Sequence, residues 1–153
     1  MFGMLCLRAV NPSNPFMQKT DHSPIADHYD VAIIGGGPVG MALALALNDT
    51  GIRCLLLEAR GVPEKDEDPR PLALSHGSQL ILNRLGAWQR LTSNTPITEI
   101  HISNRSSLGQ TLLTPQDAGV PALGYVVNYH DLFCSIHAQL LGSTADYLAG
   151  VEA

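Results

Sequence analysis

Residues Val31 to Leu47 hold no charged or strongly polar side chain over seventeen positions, and Gly35-Gly36-Gly37-Pro38-Val39-Gly40 stands in their middle. A membrane-spanning helix wants about 20 apolar residues, and three glycines followed by a proline break a helix rather than extend one. The run therefore divides. Val31-Ala32-Ile33-Ile34 is short, continuous and β-branched, as a strand buried on both faces of a parallel sheet should be. The glycines make a turn, and Val39 to Asn48 reads as a helix that is apolar all round, hence packed on a sheet. Gly51 suits the end of that helix. Ile52 to Leu57 reads as a second buried strand ending at Glu58. No membrane span is predicted.

Strand, turn, helix and strand in this order carry the pattern G-x-G-x-x-G, and each part has a mechanical use at a dinucleotide. Gly35 allows the tight turn out of the strand. Gly37 leaves space for a pyrophosphate to approach the backbone, and Gly40 lets helix and strand pack closely. Pro38 fits the first helical position, where a missing N–H costs nothing. The helix N-terminus offers N–H groups and a partial positive charge to the phosphates. Glu58 lies 23 residues after Gly35, close to the ~20 expected for the acid that bonds the ribose hydroxyls. Its charge disfavours a 2′-phosphate, hence NADP, in this site. Both NAD and FAD carry the same ADP half, so the pattern alone leaves an NAD-dependent dehydrogenase domain and a non-enzymatic dinucleotide-binding fragment open beside a flavoprotein.

Composition narrows the remaining classes. Nine Lys+Arg against fourteen Asp+Glu leave a net charge of −5, and no basic run is present to displace phosphate counterions, so nucleic acid is not an expected partner. Cys6, Cys54 and Cys134 lie 48 and 80 residues apart, which fits neither a disulfide framework nor a zinc cage. They read as reduced thiols in a reducing, cytoplasmic compartment. Residues 1–29, with Pro12, Pro15 and Pro24 and no periodicity, read as a flexible arm, and residues 30–153 as one domain or part of one.

Farther along, Arg60 to Pro71 reads as a polar loop carrying the patch Glu64-Lys65-Asp66-Glu67-Asp68. Ser75 can cap a helix to Leu85 with Leu80, Ile81 and Leu85 on its buried face and Gly86 after it, and Trp88 and Leu91 continue the packing. Ile97 to Ser103 reads as a half-buried strand with one irregular step, Gln110 to Thr114 as a weaker strand and Tyr125 to Val127 as a short one. His130 to Leu141 has helical spacing in Leu132, Phe133, Ile136, Leu140 and Leu141, with Asp131 in the first turn. Ala145 to Val151 starts a further strand. Cys134 and His137 are three apart on that helix with His130 a turn earlier, but no carboxylate or second Cys/His pair joins them, so no metal site is expected. His76 and His101 read as ordinary surface or core histidines. No hydrolytic triad follows from the spacing.

From Asp30 onward the chain resembles the FAD-dependent aromatic hydroxylases of the para-hydroxybenzoate hydroxylase type, and among these the ubiquinone-biosynthesis branch of polyprenyl-methoxyphenol hydroxylases. The resemblance is carried by Asp30 to Glu58, by Arg70-Pro71-Leu72-Ala73-Leu74-Ser75-His76-Gly77-Ser78, by Leu85-Gly86-Ala87-Trp88, by Ile97 to Ser103 and by Ala122 to Val127. It covers Asp30 to Leu141. It implies an α/β fold with a Rossmann-like FAD-binding βαβ sheet, here incomplete, and the beginning of a mixed β region on the substrate side. It implies FAD held by Gly35, Gly37, Pro38, Gly40 and Glu58, with Arg70 reaching the flavin's phosphate or ribityl region and the loop before Arg70 lying over the flavin.

It further implies NAD(P)H as electron donor, a hydrophobic phenolic substrate, and peripheral contact with the inner membrane or a ubiquinone-synthesis complex. Tyr125 stands where relatives often have a flavin-side glutamine, and Asn128 where some have an acid. Asp-Gly and later Gly-Asp motifs of the family have no counterpart before Ala153. The chain thus reads as the N-terminal portion of such an enzyme, inactive by itself, with no catalytic residue assigned.

Overall fold

The computed structural model describes residues 26–60, 70–103 and 110–151. Most of the expected N-terminal arm, the charged patch Glu64 to Asp68 and Cys6 lie outside the described residues.

Cys54-Leu55-Leu56-Leu57 is buried at every position, and it forms most of the central strand of a parallel sheet. Strands β1 (Val31–Ile34) and β2 (Cys54–Glu58) are joined by helix α1 (Pro38–Ala46). They pair in parallel with Ile33 opposite Leu56, the crossover unit that the glycine pattern calls for. Strand β8 (Asp146–Ala149) adds to the other edge of β2, also parallel, with Tyr147 opposite Leu56. The order is β1-β2-β8.

One face of this sheet, with Ile33, Leu56 and Tyr147, packs on α1 through Met41 and Ala44 and on helix α4 (Tyr129–Leu140) through Ile136 and Leu140. The opposite face gathers Leu55, Leu57, Leu148 and Val151 with Tyr29. Gly40 inside α1 costs about 1 kcal/mol relative to alanine. Complete burial of its neighbour Met41 contributes about 1.5–3 kcal/mol, so packing decides in favour of the helix.

The rest is antiparallel. Strands β3 (Pro71–Ser75), β7 (Gly124–Asn128) and β4 (Thr95–Ile97) form a sheet in the order β3-β7-β4, while β5 (Ile100–Ser103) and β6 (Gln110–Leu113) form a separate ribbon. Helix α2 (His76–Arg84) and a 3₁₀ turn (Trp88–Arg90) follow β3, and α3 (Pro115–Ala118) follows β6. Trp88 and Leu91 pack against the main core, as expected.

Several boundaries differ from the sequence reading, each for a local reason. Helix α1 stops at Ala46 instead of Asn48 because Asn48 turns outward: its Oδ1 accepts from Thr144 N at 2.9 Å and Thr144 Oγ1 at 2.8 Å. Asp49 then takes φ +61°, and Gly51 falls in the turn after the helix. On α2 the buried residue is Leu82, with Leu85 half-buried; Leu80 and Ile81 are exposed, because the sheet covers the flank one step along the helix. The expected strand from Ile97 to Ser103 breaks at Thr98-Glu99 and its halves enter different sheets. Its second half is exposed, not half-buried. Leu141 ends beyond α4 and is exposed.

Candidate functional site

Strand β1 runs out at Ile34, and Gly35 reverses the chain with φ +108°, a conformation that L side chains rarely adopt. Its N–H donates to Leu57 O at 2.8 Å, which ties the turn to β2. Gly37 is the N-cap of α1 and Pro38 takes the first turn, as expected. The first helical bond runs from Met41 N to Gly37 O at 3.0 Å. The N–H groups of Val39 and Gly40 precede it, and an N-cap glycine has no side chain to satisfy them.

Two glycines show opposite constraints. A Cβ on Gly40 would lie 2.0 Å from Gly35 O, so helix and turn touch at backbone distance and only glycine fits. A Cβ on Gly37 would meet nothing within 4 Å. Space, open N–H groups and the positive end of the helix dipole thus coincide at one point, and that donor set suits a diphosphate.

Glu58 closes the site at the end of β2. Its Oε2 accepts from Gly36 N at 2.6 Å and its Oε1 from Arg60 N at 2.8 Å, while Val151 N donates to its backbone carbonyl at 3.0 Å. The carboxylate is therefore held beside the glycine turn, with lone pairs remaining for sugar hydroxyls.

Sequence reasoning missed the role of Gly36 and of Tyr147 beneath this arrangement. A Cβ on Gly36 would stand 2.7 Å from Glu58 Cβ and 3.0 Å from Tyr147 Cε2. Tyr147 is 1% exposed and its hydroxyl has no hydrogen-bond partner. Burial first, and the Glu58 charge second, push that phenol up to about 12. The middle glycine of the run, at a position the pattern leaves free, was the available signal.

Gly35, Gly37, Pro38, Gly40 and Glu58 are thus gathered at one end of the parallel sheet. Arg70 stands on the antiparallel sheet, immediately before β3, where its carbonyl accepts from Tyr129 N at 2.9 Å and its guanidinium carbon lies 5.3 Å from the centre of the Tyr129 ring. Of the two departures from relatives, Tyr125 packs edge-on against Trp88 at 5.0 Å. Asn128 caps α4, its Oδ1 accepting from Asp131 N at 3.2 Å.

The histidines on α4 diverge. Cys134 Sγ lies 3.3 Å from His130 Nε2, whereas His137 is buried between Phe133 and Tyr147 with ring centroids at 5.8 and 5.6 Å. Among the described residues no three of His, Cys, Asp and Glu converge on a point. No helix among them is long and apolar enough to cross a membrane.

The family model described as "FAD binding domain" matches residues 28–140, most of the chain, with the glycine turn, Glu58 and Arg70 inside the match. The chain belongs to the FAD binding domain family.

Within that family, the chain is 32% identical over 114 residues to the ubiquinone hydroxylase UbiM of Neisseria meningitidis, covering 69% of this chain and 25% of that protein. It is 33% identical over 120 residues to the FAD-dependent monooxygenase verC1 of Penicillium polonicum, covering 77% of this chain and 14% of that one. The chain thus spans about a quarter or less of the curated relatives just named. Among solved structures, PqsL of P. aeruginosa matches with a TM-score of 0.63 at 18% identity, over 81% of this chain and 34% of that one. The p-nitrophenol 4-monooxygenase PnpA of Pseudomonas putida matches with a TM-score of 0.59 at 17% identity, over 78% of this chain and 31% of that one. These likenesses establish the Rossmann-like α/β fold of FAD-dependent monooxygenases. Family membership selects FAD over the NAD-dependent dehydrogenase that the glycine pattern left open.

Proposed function

We propose that this chain is the adenosine-binding, N-terminal part of an FAD-dependent monooxygenase that hydroxylates a hydrophobic phenol, a polyprenylated phenol of ubiquinone biosynthesis, with NAD(P)H as electron donor. One observation carries the reading. Open space at Gly37, unsatisfied first-turn N–H groups and the Glu58 carboxylate meet at the end of β1 and β2 inside a match to an FAD family. The likeness to a ubiquinone hydroxylase supports the finer substrate. On this reading residues 30–153 begin the FAD domain and residues 1–29 form an arm ahead of it. Nucleic acid has no part in the reading, and a lipid-tailed substrate favours peripheral contact with a membrane or with a ubiquinone-synthesis complex.

The residues divide the labour by chemistry. The N–H groups of Val39 and Gly40 bind the diphosphate, reinforced by the α1 dipole. Glu58 accepts hydrogen bonds from the ribose hydroxyls, and its charge repels a 2′-phosphate. Gly36 N–H fixes the angle of that carboxylate. Arg70 neutralises charge on the flavin side of the diphosphate. Bound FAD supplies electron transfer and oxygen activation.

The test is spectral and then catalytic. The purified protein, extended to the length of its relatives, should be yellow with flavin absorbance and should oxidise NAD(P)H in the presence of a polyprenylphenol. A colourless protein that takes up no FAD overturns the reading, and a colourless protein that binds NAD returns it to the dehydrogenase alternative.

A further inference from the structure

We propose that Tyr129 is a positioning residue for Arg70, holding its guanidinium in place for the flavin-side phosphate; this rests on the proposed role of Arg70.

Three features make Tyr129 a fixed plate. The register of β3 on β7 pairs Pro71 with Asn128, so Arg70 and Tyr129 face each other one step past the strands. The bond from Tyr129 N to Arg70 O extends the ladder by that step. Tyr129 is also the first residue of α4, whose inner side is anchored by Leu132, Phe133 and Ile136. Its first turn is closed by Asn128, and the next link, Asp131, accepts from both Thr92 N and Thr92 Oγ1 at 2.9 Å. The ring therefore rides on backbone that is tied from two directions.

Arg70, by contrast, is exposed. A long arginine side chain at a surface has rotamer entropy to lose, which works against any phosphate contact that must first order it. The 5.3 Å from the guanidinium carbon to the Tyr129 ring centre is inside the ~6 Å reach of a cation–π pair. A cation–π contact engages the guanidinium's charge and none of its N–H donors. The aromatic face thus removes part of the ordering cost before FAD arrives, without touching FAD itself.

The experiment is FAD and AMP titration of the full-length protein. Tyr129→Leu should weaken FAD about 2- to 5-fold, the size of an exposed cation–π pair, and should leave AMP unchanged, because AMP lacks the flavin-side phosphate. Tyr129→Phe, which keeps the ring, should match wild type for both ligands. Arg70→Ala should weaken FAD, and adding Tyr129→Leu to it should cost nothing more.

The failures are separable. Unchanged FAD affinity in Arg70→Ala removes the role of Arg70 and this inference with it. Weakening by Arg70→Ala with no effect of Tyr129→Leu, or with an additive effect in the double variant, overturns the inference alone. Equal losses for FAD and AMP, or a Tyr129→Phe variant as weak as Tyr129→Leu, also overturn it. Should Tyr129→Leu fail to fold by circular dichroism, Tyr129→Gln makes the same comparison. Tyr129→Trp is then expected to bind FAD as tightly as wild type, and a loss there contradicts the cation–π role.

Discussion

The Gly36 amide donates to the Glu58 carboxylate at 2.6 Å, and the buried ring of Tyr147 closes on the same glycine. The Glu58 carboxylate is therefore oriented by the backbone it stands beside. A methyl group at 36 meets Glu58 Cβ at 2.7 Å, and a β-carbon has no rotamer by which to retreat. Gly36→Ala is expected to destabilise the fold by about 1–3 kcal/mol, as overpacking does, and to weaken FAD by tilting the carboxylate. Thermal melts with and without FAD check both parts.

Gly37 and Gly40 separate binding from folding. Gly40→Ala places a carbon against a backbone carbonyl and should abolish a stable fold. Gly37→Ala meets nothing, so its melting temperature without ligand should match wild type while FAD affinity falls, because the methyl occupies the diphosphate's space. Circular dichroism beside flavin titration reads the contrast.

Helix caps are a second, ligand-independent test. Asn128 accepts from Asp131 N, and Ser75 Oγ accepts from Ser78 N at 3.0 Å. Replacing either with alanine should cost about 1 kcal/mol, read as a melting temperature lower by about 2–4 °C. AMP affinity should not change, since neither residue belongs to the glycine turn.

Acid should loosen the core through His137. Burial holds its imidazole below the ordinary value of 6.5, so the unfolded chain binds more protons there than the folded one. The stability this group contributes is complete above about pH 6.5 and declines as pH falls toward its folded value. His137→Phe should flatten the slope of unfolding free energy between pH 7 and 5 in denaturant titrations.

Much of the candidate site was legible because its parts are local. The strand, the glycine turn, Pro38 at the helix start and Glu58 follow from spacing and steric demands within some thirty residues, and the structure places them together. The second sheet was less legible. Strand β3 begins with a proline next to a polar loop and is recognisable only through its partner β7, 53 positions away. Helix α3 carried a visible signal, Thr114-Pro115-Gln116-Asp117, which closes as a capping box, but its four residues offer no periodicity to detect. Neither Tyr147 under Gly36 nor Tyr129 beside Arg70 could be read from one sequence, because each contact joins segments far apart in the chain.

Calorimetric titration with ADP and with ADP bearing a 2′-phosphate tests the central claim most directly. The account predicts that wild type binds ADP, that the 2′-phosphate weakens binding strongly, and that Glu58→Gln narrows the gap by removing the repulsion while loosening ADP itself. Absence of ADP binding, or a Glu58→Gln variant with the same affinity and the same discrimination as wild type, contradicts it.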